Sequence, residues 1–178
     1  MRFIRNVLTI SCILLAGCSS HYAPLPTVNK VDLNQYTGTW YEIESLPNRF
    51  QRGCQCTTAT YDKIPGRDDV ITVHNQCYRN GQWTEAKGKA FKNGDTGAKL
   101  KVQFFWPFRG DYWILDLGPE KDGKYSYVMV GNPSRKYLWF LARDKSLPES
   151  TLKKLTDKAK QLGFSTEQLN KTSQNCSR

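Results

Sequence analysis

Six cysteines, two histidines and a small set of acids are the residues of this chain that could do chemistry. Cys54-Gln55-Cys56 brings two thiols close in sequence, with Cys77 and Cys176 further along. Zinc-binding cysteine pairs are usually separated by about two to four residues and completed by further thiols or imidazoles. Here the spacing is one residue and only His21 and His74 are available, so no metal is expected. Glu42 and Glu44 alternate along a strand-like run and would share one face, as a carboxylate pair for glycoside chemistry must. No second conspicuous acid joins them and their neighbours are aromatic, so they read as a polar cavity floor or a solvent face. Neither a glycine-rich phosphate loop nor a serine elbow occurs. No catalytic residue and no cofactor are expected.

A different pair carries structural chemistry. Gly38-Thr39-Trp40 opens a strand with a glycine and an indole, and Leu141-Ala142-Arg143 ends an aromatic run on a guanidinium. If the first and last strands meet, Arg143 lies over Trp40, a cation–π contact of about 1–2 kcal/mol when partly desolvated. The elements needed for this are legible. Eight apolar or alternating runs follow one another at 40–46, 54–63, 70–78, 83–91, 98–105, 111–117, 125–130 and 137–142. Turn signals separate them: Pro65-Gly66, Asn80-Gly81, Asn93-Gly94-Asp95 and Asp122-Gly123. No helical period interrupts them, which excludes a parallel βαβ design. The pattern is all-β, an antiparallel sandwich or barrel, and eight strands closed on themselves as an up-and-down barrel would enclose one small-ligand cavity. Before Gly38, residues 31–36 suit a short 3₁₀ turn. After the strands, Ser146-Leu147-Pro148-Glu149 reads as a capping box, and Leu152, Leu155, Ala159 and Leu162 share a helical face that ends at Gly163. That helix is expected to pack outside the barrel.

The chain has 178 residues and a formal net charge of +10, enough length for one domain with a sizeable core. Its lysines are scattered except at Lys153, Lys154, Lys158 and Lys160, so nucleic acid is not an expected partner. Arg2 and Arg5 precede an apolar stretch too short for a permanent membrane span. It ends Leu15-Ala16-Gly17-Cys18, which resembles the lipobox of bacterial lipoproteins. The resemblance implies a signal peptide over 1–17 and Cys18 carrying diacylglycerol and palmitate. Ser19 resembles the version sorted to the outer membrane. Residues 18–30, with Pro24 and Pro26, then read as a tether, and 31–178 as the domain.

The layout of short turn, Gly-x-Trp strand, barrel and C-terminal helix resembles the lipocalins. Gly38-Thr39-Trp40, Gly110-Asp111-Tyr112-Trp113 and Arg143 look like the three family motifs, the second with Gly where Thr is commoner. Leu46-Pro47-Asn48-Arg49-Phe50 and Gly131-Asn132-Pro133-Ser134-Arg135 are similar to the bacterial outer-membrane lipocalins and apolipoprotein D. The resemblance implies a binding protein for fatty acids or lysophospholipids, anchored at the outer membrane, facing the periplasm and serving the envelope under stress. It implies Tyr61, Asn75, Phe104, Tyr112 and Trp139 as the cavity lining. Phe50 between Arg49 and Arg52 reads as a lid or membrane-touching loop, its arginines meeting an anionic headgroup. An envelope scaffold with a vestigial cavity is the alternative, and a homodimer is left open.

Cys12 goes with the signal and Cys18 with the anchor, leaving four cysteines and three possible connectivities. A turn that sets Tyr61 opposite Val70 also sets Cys54 opposite Cys77. Cys56 is then left for Cys176, and the resemblance to apolipoprotein D implies the same tie between barrel and tail. With every barrel cysteine paired, the free-cysteine nucleophile found in one lipocalin has no counterpart here.

Overall fold

The computed structural model describes residues 22–176. A four-residue helix, α1 (Leu33–Tyr36), is capped by Asp32, whose carboxylate accepts from the Asn34 amide. It takes the place of the expected 3₁₀ turn. Strands β1 (Gly38–Ser45), β2 (Gln55–Ile64), β3 (Arg67–Arg79), β4 (Gln82–Lys92), β5 (Lys99–Phe105) and β6 (Phe108–Leu117) follow. A small hairpin of β7 (Glu120–Lys121) and β8 (Lys124–Tyr125) precedes β9 (Tyr127–Gly131) and β10 (Leu138–Ala142). Each long strand pairs antiparallel with its neighbour, and β10 returns to β1, with Tyr41 opposite Ala142 and Ser45 opposite Trp139. Strands β1–β6, β9 and β10 therefore form a closed eight-stranded antiparallel barrel. Then come α2 (Glu149–Gln161), a 3₁₀ turn (Thr166–Gln168) and β11 (Asn170–Lys171).

Period-2 alternation gives each strand an inner and an outer face. Trp40, Tyr61, Val73, Leu100, Ile114, Val130 and Leu141 fill the inside. Ile43, Leu115, Met129, Leu138 and Phe140 face outward and join Leu155, Ala159 and Phe164 in a second core beneath α2. This is why β9 is buried on both sides. The helix ends as its glycine requires. Gly163 sits at φ +86°; its amide bonds to Lys160 O, and the Phe164 amide to Ala159 O.

Three expectations change. The capping box does not form: Pro148 occupies the N-cap position and no side chain caps the helix. Proline at 148 keeps the preceding backbone extended, so the helix starts two residues later than a Ser146 cap demands. The β2–β3 register differs too, since Tyr61 lies opposite Val73 and not Val70. The pairing jumps from Ile64–Arg67 to Lys63–Ile71 beside the turn and shifts again between Gln55 and Thr58, with Cys56 at φ +49°; Cys54 is still bonded to Cys77, with their Cα atoms 5.5 Å apart. Finally, residues 22–30, read as part of a tether, are held against the barrel. Leu25 is buried beside α2, Val28 N donates to Ile114 O, and Val31 N donates to Thr96 O. Cys18 and the 1–17 segment lie outside the described residues.

Candidate ligand-binding site

One end of the barrel is shut. Gly38, at φ +96°, turns the chain out of α1 into β1. Trp40 is fully buried there, and its indole Nε1 donates to Tyr36 O at 2.9 Å. The Arg143 guanidinium carbon lies 3.6 Å from the Trp40 ring centroid. Its nitrogens donate to the carbonyls of Gln35, Tyr36, Thr37, Thr39 and Tyr125. A single side chain thus collects the orphan carbonyls at the end of α1 and clamps them to both closing strands.

Above this plug, three phenols meet. The hydroxyls of Tyr36 and Tyr112 are 2.7 Å apart, and Tyr61 Oη donates to Tyr112 Oη at 2.9 Å. Burial pushes Tyr61 up to about 12 and holds Tyr36 and Tyr112 well above the usual phenol range. This inner cluster is therefore neutral and internally hydrogen-bonded. Phe104 and Trp139 pack on the same inner cluster. Asn75 shares the inward face of β3 with Val73, and its shielded Oδ1 accepts no hydrogen bond from the described protein atoms. Tyr61, Phe104, Tyr112 and Trp139 belong to the inner cluster, and Asn75 shares its side of β3 by alternation. Tyr61 and Tyr112 are in direct contact, whereas Asn75, Phe104 and Trp139 come from strands spread around the barrel.

At the other end, the 46–54 loop folds over the mouth. Asn48 Oδ1 accepts from the Phe50 and Gln51 amides, an Asx-type turn that shapes the loop. Gln51 Oε1 accepts from Trp139 Nε1 at 2.8 Å and from Asn48 Nδ2 at 2.7 Å. Phe50 lies 6.3 Å from Tyr137, which stacks on Trp139 at 5.7 Å. The loop is thus tied to the inner wall through Trp139. Arg49 and Arg52 are exposed, Arg49 folding over Phe50.

A second set of contacts at the mouth includes the expected Cys56–Cys176 tie, and the hydrogen bonds around it escaped the sequence reading. Strand β2 leaves β1 after Tyr41–Thr58, opening a seam. The C-terminal tail fills it: β11 pairs with Glu44 and Ser45, Cys56 N donates to Ser173 O, and Cys56 is disulfide-bonded to Cys176. Glu42 is buried in the seam. Its carboxylate accepts from Ser45, Thr172 and Gln51, so it joins strand, tail and lid. A bulge between Glu42 and Glu44 separates the two acids. Burial raises Glu42 above the usual carboxylate value despite these donors. A cleft of about 380 Å³ runs along this seam between the loop and β11, lined by Glu42, Arg52, Lys171 and Thr172 among others. The only sequence hint was an acid on an otherwise inward, apolar alternation.

His74 contacts Glu85 on the outer face of β3 and β4, and no group of three metal-ligating side chains occurs among the described residues. Cys54, Cys56, Cys77 and Cys176 are all in disulfides.

The chain resembles the insecticyanin of the tobacco hornworm Manduca sexta with a TM-score of 0.64 at 20% identity, covering 88% of this chain and 87% of that one. That likeness concerns the fold alone. Apolipoprotein D of Macaca fascicularis is 35% identical over 131 residues, 71% of this chain and 68% of that protein. The outer membrane lipoprotein Blc of Vibrio cholerae is 39% identical over 170 residues, 93% of this chain and 96% of its own length. The model of the lipocalin-like domain matches residues 31–174, the whole barrel with its helix and most of the tail. A barrel plugged by Trp40 and Arg143, matched over its full extent and shared with such relatives, identifies the chain as a member of the lipocalin family.

Proposed function

We propose that this lipocalin binds and carries a single-chain lipid, a fatty acid or lysophospholipid, at the bacterial outer membrane, in maintenance of the envelope under stress. The observation that carries the reading is the distribution of polarity along the barrel. The inner wall is apolar and aromatic, its floor is a neutral phenol cluster, and exposed cations stand at the mouth. An alkyl chain fits the wall and an anionic headgroup does not fit the floor, so the headgroup stays beside Arg49 and Arg52. Asn75 offers one polar contact midway. Burying about ten methylenes at about 0.8 kcal/mol each gives about 8 kcal/mol before ordering costs, which supports affinity around the micromolar range at best. The Blc relatives are outer membrane lipoproteins, and Leu15-Ala16-Gly17-Cys18 supports the same anchoring here, through diacylglycerol on Cys18 and facing the periplasm.

Delipidated protein should show saturable quenching of its tryptophan fluorescence by an unsaturated fatty acid or lysophospholipid. Trp139→Ala should weaken binding about tenfold, while the exposed control Lys160→Ala leaves it unchanged. Binding weaker than about 100 µM for every single-chain lipid, far short of the estimate above, would transfer the argument to a scaffold with a vestigial cavity. Metabolic palmitate labelling should disappear in Cys18→Ser.

A further inference from the structure

An up-and-down barrel returns every second connection to the same end. The 46–54, 80–81, 106–107 and 132–137 connections therefore share the open rim. None contains an aspartate or glutamate, although Arg49, Arg52 and Lys136 are exposed there; Arg109, also exposed, follows the 106–107 connection near the start of β6, its guanidinium over the Phe91 ring. The closed end is mixed, with Asp68, Asp69, Asp95, Glu120 and Asp122 among its cations. The positive charge is polarised along the barrel axis.

The same rim carries the most exposed aromatics of the described chain. Phe105, Trp106 and Phe108 are 77%, 87% and 77% exposed at the tip of the β5–β6 hairpin, with Phe105 opposite Phe108. Isolated exposed rings are ordinary, but three at one tip mark a contact surface. They are not cavity wall, because Phe104 already supplies the inward ring of that strand and alternation turns Phe105 outward.

The chain's start points to the partner. Arg135, in the 132–137 connection, lies 5.0 Å from the Tyr22 ring and donates to Ala23 O. Tyr22 is thus at the open rim, and the four peptide steps back to Cys18 reach at most about 14 Å. We propose that the open rim docks on a bilayer bearing anionic headgroups, with Phe105, Trp106 and Phe108 entering the interface and Arg49, Arg52 and Arg109 meeting lipid phosphates. The mouth then faces the bilayer, so a lipid passes between membrane and cavity without crossing water. The contribution of the chain's start rests on the reading of Cys18 as the anchor, whereas the aromatic tip acts without it. A second copy fits this surface poorly, because pairing rim on rim sets arginine against arginine with no rim acid to offset them.

The test uses the full chain in phosphatidylcholine vesicles, with or without phosphatidylglycerol, containing brominated lipid as a short-range tryptophan quencher. The difference between wild type and Trp106→Phe isolates the Trp106 emission. That component should be quenched and blue-shifted, more strongly with phosphatidylglycerol. Arg49→Gln, Arg52→Gln and Arg109→Gln should each lower the docked-to-undocked ratio about fivefold on phosphatidylglycerol vesicles, equivalent to about 1 kcal/mol. Phe105→Ser/Phe108→Ser, with near-ultraviolet circular dichroism confirming its fold, should abolish the quenching. Trp106 emission untouched by brominated lipid yet open to acrylamide would overturn the proposal. So would a dimer that this double variant dissociates in sedimentation while vesicle quenching persists. The delipidated protein gives the same readout whether or not its cavity takes a fatty acid, so failure of docking and failure of lipid carriage are separable.

Discussion

Glu42 illustrates how one residue acquires meaning from its surroundings. Because burial makes its ionisation harder in the folded state, the folded protein holds its proton to higher pH than the unfolded chain. The stability this group contributes is complete below the ordinary value of 4.5 and is lost as pH rises through its own raised value. Glu42→Gln should flatten that part of the pH profile, measured by denaturant unfolding across the acid range. The amide oxygen can face Gln51 and the NH₂ can face Thr172, so the lid stays attached. Glu42→Leu strands the donors of Ser45, Thr172 and Gln51 and should cost about 1–3 kcal/mol. At the floor, Tyr112→Phe removes the partner of both Tyr36 and Tyr61 and should also cost about 1–3 kcal/mol. Tyr61→Phe leaves Tyr36 and Tyr112 paired and should cost less. Arg143→Lys keeps the charge but loses the fork that reaches five carbonyls and should cost about 2 kcal/mol or more in urea unfolding.

Among the elements, the tail is the most revealing. Strand β11 is only two residues long, yet it closes the seam left by β2, and Cys56–Cys176 fastens it across 120 residues of sequence. On the loop-entropy model that crosslink contributes up to about 5 kcal/mol. Cys176→Ser should lower the thermal midpoint and raise hydrogen exchange at the Cys56 and Thr172 amides, which bond across the seam to Ser173 O and Ile43 O. The α2 helix responds differently. Gly163→Ala should cost about 1 kcal/mol, because an alanine resists the left-handed backbone that lets Phe164 turn into the second core.

For the molecule as a whole, the barrel is plugged at one end and presents exposed cations at the other. A ligand that binds only the folded form adds stability by mass action, about 2.7 kcal/mol when present at about a hundred times its dissociation constant. Added fatty acid should therefore raise the thermal midpoint of delipidated wild type and raise it less in Trp139→Ala, as followed by calorimetry. The increment should fall with salt if Arg49 and Arg52 meet the headgroup, since exposed charges are screened over about 10 Å at 0.1 M ionic strength.

By itself the sequence determined the strand count, the barrel class, the Trp40–Arg143 plug and the C-terminal glycine of α2, because each rests on local periodicity or on residue types with narrow geometric uses. Tyr61, Asn75, Phe104, Tyr112 and Trp139 were named as lining by the resemblance to apolipoprotein D and not by the residue pattern. The register of β2 on β3 was beyond it, because the pairing jumps from Ile64–Arg67 to Lys63–Ile71 beside the turn and shifts again near Cys56, which breaks the counting by which opposite residues are found. The helix start was misread because Ser146 and Glu149 satisfy a capping pattern that Pro148 overrides. Residues 22–30 looked like a linker, as their composition gives no sign of the pocket beside α2 into which Leu25 fits. Tertiary structure alone decided that Glu42, Gln51 and Thr172 meet, that the tail fills the seam, and that the acid-free connections gather on one rim. Those facts depend on how strands distant in sequence close on one another, and hydrogen bonds between side chains far apart in the chain leave no period for the sequence to display.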